Sequence, residues 1–112
     1  MIRFLKMLKK DFIKKKLYKL EIKSARYLEL SKAEQKNAES FKRMIDLHLN
    51  LAKPGNKHYI MHQRELHLNL EEWSQKYSKH IAVSSEYKAM YDNLQQQISE
   101  LTSKAIELSV KK

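Results

Sequence analysis

The stretch Lys53-Pro54-Gly55-Asn56-Lys57 holds the only proline and the only glycine of the 112-residue chain. Proline disfavours helix in the residue before it, and Gly-Asn tolerates positive φ. This is the one strong break in the sequence. On each side runs about fifty residues without a breaker. At ~1.5 Å rise per residue, each run predicts a helix of roughly 75 Å. Isolated helices gain little from propensity alone, so each needs a partner along its length.

The second run supplies an apolar face for that partner. Alternate steps of four and three from Tyr59 reach Leu66, Leu70, Trp73, Tyr77, Tyr87, Tyr91, Leu94, Ile98, Leu101, Ala105 and Leu108, interrupted only by Gln63, His80 and Ser84. This is a sustained heptad stripe. The first run carries a weaker one: Ile13, Leu17, Leu20, Ser24, Tyr27, Ser31, Glu34, Ala38, Phe41, Ile45, His48 and Ala52. Folding the chain symmetrically at Pro54-Gly55 pairs residues whose numbers sum to 111. Every seam position then meets a seam position: Ile45 with Leu66, Phe41 with Leu70, Leu20 with Tyr91, Leu17 with Leu94, Ile13 with Ile98. In the polar middle Ala38 faces Trp73, Ser31 faces His80, Tyr27 faces Ser84 and Ser24 faces Tyr87, small against large. His48 and Gln63 face each other near the turn, as register-fixing polar pairs do.

The fold expected is therefore all-α, an antiparallel two-helix coiled-coil hairpin. It forms a single domain over residues 1–112, with helix 1 about 2–52, a tight turn at 53–57 and helix 2 about 58–109. The alternative is a three- or four-helix bundle broken near Ser31 to Ser40 or Ala82 to Ser85.

Composition agrees and removes several function classes. The chain has 23 Lys and Arg against 13 Asp and Glu, a net charge of +10, and no cysteine. Disulfides and thiolate metal sites are excluded. One glycine excludes a glycine-rich phosphate loop. Charges interrupt every apolar run, so no membrane span is expected. No uninterrupted apolar stretch or small-residue cleavage site marks a signal peptide, which predicts a cytoplasmic protein.

Charge is uneven. Residues 1–23 hold nine basic and two acidic residues, +7 of the +10. Interleaved among them are Ile2, Phe4, Leu5, Met7, Leu8, Phe12 and Ile13. Continued backwards from Ile13, the heptad frame reaches Lys10, Lys6 and Arg3, so Leu5, Leu8 and Phe12 turn away from the seam. With Lys14, Lys15 and Lys16 they are the expected partner-contacting residues at this end. A solvated helix face, an anionic membrane, nucleic acid and an acidic protein cavity all fit such a segment. At the turn end, Leu47, Met61 and Leu68 fall at outer positions, and Met44, Leu49, Leu51 and Ile60 flank the seam. A cluster of this kind predicts a second contact.

Chemistry finds little support. His58 and His62 are four apart, the spacing that one helix face would require, and would need Glu65 or Glu71 to complete a metal site. The run His62-Gln63-Arg64-Glu65-Leu66-His67 lacks the glutamate directly after the first histidine that zinc proteases carry. These histidines read as solvated residues near a loop. Two helices give Ser and His no cleft and no oxyanion donors, so neither an enzyme nor a cofactor is expected.

A short, basic, cysteine-free chain of two long helices and one turn, beginning Met1-Ile2-Arg3-Phe4-Leu5-Lys6-Met7-Leu8-Lys9-Lys10, resembles the central-stalk and chaperone-escort proteins of type III secretion, the FliJ, YscO, InvI and SpaM type. The resemblance is architectural and covers the whole chain. It implies a stalk in the pore of a hexameric export ATPase, contact with an export-gate protein, possible escort of secretion chaperones, and a place at the inner-membrane export apparatus. The end with both termini would then meet the ATPase, and the turn end the gate or a chaperone. The alternative is a small basic nucleic-acid-binding protein of plasmid or phage origin, supported by the lysine excess alone.

Overall fold

The computed structural model describes residues 2–110. It is an antiparallel hairpin of two helices, α1 (Ile2–Leu51) and α2 (Tyr59–Val110). The bounds lie within a residue or so of those the sequence predicts, the usual latitude at helix ends. No helix among the described residues is long and apolar enough to cross a membrane.

The turn is longer than five residues and has two left-handed positions. Gly55 has φ 100° and His58 φ 62°. The glycine is legible in the sequence; the histidine is not, although histidine is among the residues enriched there. The turn also satisfies the carbonyls that α1 leaves open. Ala52 N–H donates to His48 O at 2.8 Å. The Asn56 side chain donates to Asn50 O at 2.9 Å, and Gln63 Nε2 to Ala52 O at 3.0 Å. His62 N–H then donates to His58 O at 3.2 Å in the first turn of α2.

The helices meet along the expected stripes. No seam position of α1 is exposed, and Ile13, Ser24, Ser31, Ala38 and Ala52 are buried. On α2, Leu66, Ser84 and Leu94 are buried, while Trp73, Tyr77, His80, Tyr87, Tyr91, Ile98 and Leu101 are half-buried.

The register differs from symmetric folding. Ser31 meets Ser84, not His80, and Tyr27 meets Tyr87, not Ser84. His80 meets Glu34. The numbers of Ser31 and Ser84 sum to 115, and those of the other two pairs to 114. The shift is about one seam layer. Its physical anchor is reciprocal: Ser31 Oγ donates to Ser84 O at 3.0 Å, and Ser84 Oγ donates to Ser31 O at 2.9 Å. Each small side chain satisfies the other inside the seam, which removes the cost of burying two hydroxyls.

Near the turn the face of α2 also rotates. Gln63 is exposed and Leu70 is 39% exposed, whereas His62 and Asn69 are half-buried in their place. His62, not Gln63, is the partner of His48. Gln63 instead donates to the Ala52 carbonyl just past the end of α1, and turning it outward carries Leu70, seven residues on, with it.

The chain divides into two compact units. One spans Leu30–Glu86 and contains the turn; the other joins residues 2–29 to 87–110.

Candidate functional site

In the unit of residues 2–29 and 87–110, α1 keeps Ile13 in the seam and presents Leu5, Leu8 and Phe12 beside it. These residues recur every three to four positions, so they share one face of the helix. With Ile13, Leu101 and Leu108 they line a groove of about 810 Å³ between the two helices. Lys9, Lys16 and Lys104 border it, with Glu107 as its one acidic residue. Phe12 is 68% exposed, and Leu5 and Leu8 are also exposed. Ile2, Phe4 and Lys6 belong to the same expected segment, but their side chains lie outside the described residues.

Of the three consecutive lysines, only Lys16 borders the groove. Lys14 and Lys15 are exposed but point elsewhere, because successive helical residues stand about 100° apart. Lys9 and Lys104 are the basic residues the sequence reading missed. Lys9 hides in a lysine pair, and Lys104 comes into place only through the register. Deeper in this unit, Gln95 Nε2 donates to Ser24 Oγ at 2.7 Å and Tyr27 packs on Tyr87.

The Leu30–Glu86 unit carries the second expected contact. Leu47, Met61 and Leu68 are all exposed, with Leu68 at 68%. Met61 and Leu68 are seven apart on one face of α2. Met44, Leu49 and Ile60 are exposed as well, and Leu51 is half-buried. Behind these residues the seam is polar and aromatic. His80 Nδ1 lies 2.5 Å from Glu34 Oε2, and its ring stacks on Phe41. The Lys76 ammonium sits 5.7 Å from the Phe41 centroid. His48 Nδ1 lies 3.0 Å from His62 Nδ1, and His48 stacks on Trp73. No described buried side-chain nitrogen or oxygen lacks a partner.

These polar groups are occupied with one another. The Ser31 and Ser84 hydroxyls each donate to a backbone carbonyl, and the His80 bond goes to Glu34. No serine–histidine hydrogen bond is present among the described residues. His62 pairs with His48 rather than with His58, Glu65 or Glu71; Glu65 accepts instead from Asn69 at 3.1 Å. The described surface carries an apolar groove bordered by lysine, and exposed apolar residues near the turn. No known family, curated protein or solved structure matches the chain.

Proposed function

We propose that this chain is a non-enzymatic docking hairpin that works by being held, and that it serves as the stalk or escort component of a type III protein secretion system. The groove formed by Leu5, Leu8, Phe12, Leu101 and Leu108 carries this reading. It is apolar within and basic at its border, which suits an acidic protein surface with apolar side chains to insert. Total accessible surface gives further support. The chain exposes 9124 Å², against roughly 6,500 Å² for a folded monomer of its 13.4 kDa mass. A protein with so much surface and so few buried aliphatic residues gains stability from a partner.

In this reading the groove engages the hexameric secretion ATPase. Leu47, Met61 and Leu68 engage an export-gate protein or a chaperone. The protein works in the cytoplasm, peripheral to the inner-membrane export apparatus.

The test is a pull-down of the purified chain from its host's lysate, in moderate salt with nuclease added. The expected result is recovery of a hexameric ATPase that is lost with Phe12→Ser and Lys16→Glu combined and kept with Leu47→Asp and Leu68→Asp combined. Recovery of ribosomal or nucleoid material alone, released by nuclease, would replace this reading with the nucleic-acid binder.

A further inference from the structure

His48 on α1 and His62 on α2 face each other through like atoms. Their Nδ1 atoms are 3.0 Å apart, their ring centroids 5.2 Å apart, and their planes are inclined at 45°. Both side chains are half-buried. Stacking on Trp73, with centroids 5.5 Å apart and planes at 21°, holds the His48 ring in place. Each ring is carried on a helix, so both are positioned by regular backbone rather than by a loop.

Without an ion the pair makes one hydrogen bond. One ring carries its proton on Nδ1 and donates; the other presents a bare Nδ1. When the donor ring shifts to its other neutral tautomer, its proton leaving Nδ1 for solvent while Nε2 takes one up, both Nδ1 atoms present lone pairs and a metal ion can take the place of the shared proton. Two imidazole nitrogens at about 2.0–2.1 Å from one ion stand roughly 2.9–3.4 Å apart, for angles from square-planar to tetrahedral. The observed separation falls inside this window, so the spacing already suits a shared ion, and each ring need only turn to aim its Nδ1 lone pair at it. Imidazole nitrogen suits zinc, copper and nickel. No group of three or more His, Cys, Asp or Glu side chains able to hold a metal occurs among the described residues. Water would complete the coordination.

We propose that His48 and His62 form a two-imidazole clasp for a divalent transition-metal ion, joining α1 to α2 beside the turn. Copper binds more tightly than nickel or zinc, following the general order for nitrogen ligands. The clasp is independent of the secretion reading. It bridges the helices directly, so its occupancy stabilises the paired state over the unfolded chain.

Thermal unfolding followed by helical circular dichroism tests it, with Cu²⁺, Ni²⁺, Zn²⁺ or Mg²⁺ in about tenfold excess over the full chain. The expected result is a Tm raised by about 4 °C or more with Cu²⁺ and unchanged with Mg²⁺. Trp73 is the only tryptophan, and its fluorescence is expected to be quenched by Cu²⁺. His48→Gln and His62→Gln are each expected to remove both effects, while His67→Gln keeps them. No rise in the unaltered chain, or a rise that survives both substitutions, overturns the proposal. Proton NMR of the unaltered chain decides the matter even where a variant folds poorly. Sub-stoichiometric Cu²⁺ is expected to broaden the ring protons of His48, His62 and Trp73 before those of His58 and His67. Broadening that starts at His58 or His67 overturns it.

Discussion

Each of the two units is held together internally by its own mix of contacts. Residues 2–29 with 87–110 have mainly aliphatic seam positions, with Ile13 and Leu94 buried and Leu17, Leu20, Ile98 and Leu101 half-buried, joined by a polar contact, Gln95 to the buried Ser24, and by Tyr27 on Tyr87. The Leu30–Glu86 unit carries a reciprocal serine pair, imidazole contacts and a histidine–glutamate contact in its seam. Aliphatic burial is non-directional and tolerates sliding; paired hydroxyls and imidazoles do not. The Leu30–Glu86 unit therefore holds more of the directional contacts, and the other unit holds more aliphatic seam positions and an open apolar groove.

Three substitutions probe that contrast, all read by urea unfolding with circular dichroism. Leu94→Ala in the aliphatic unit has the largest expected effect, a loss of about 2–3 kcal/mol. In the other unit, Ser84→Ala removes one hydroxyl of the reciprocal pair and leaves the Ser31 hydroxyl its bond to the residue 84 carbonyl. The expected cost is about 1 kcal/mol. If Ser84→Ala costs as much as Leu94→Ala, the contrast between aliphatic burial and directional contact fails. Phe12→Ser has the smallest expected effect on stability, within about 0.5 kcal/mol, because the ring covers little of the seam. A large loss there would mean that the groove residues belong to the core.

The sequence reveals the seam more fully than the register. Heptad periodicity names residues that lie against the facing helix, and in α1 it does so without exception. It cannot choose between registers one layer apart, because each brings seam to seam. Small-against-large matching favoured Ser31 opposite His80; the hydrogen-bonding needs of Ser31 and Ser84 outweigh it. Rotation near the turn was hidden for the same reason. It depends on His62 reaching His48 and Gln63 reaching Ala52, contacts between helices that no pattern along one helix reports. The exposed groove residues Leu5, Leu8 and Phe12 were legible, since they fall off the heptad frame. Lys104 was not, because only the register brings it beside them.

The pairing of Ser31 with Ser84 determines which residues of α2 stand beside which residues of α1, and a disulfide tests it directly. The natural chain has no cysteine, and the two serine oxygens lie 3.1 Å apart, so side chains at these two positions meet across the seam. Ser31→Cys combined with Ser84→Cys is expected to oxidise in air to an intramolecular disulfide in nearly all molecules, with helix content unchanged. Ser31→Cys combined with His80→Cys, the pair that symmetric folding selects, is expected to remain reduced under the same conditions. The opposite outcome, a disulfide to position 80 and none to position 84, would contradict the register and the groove that depends on it.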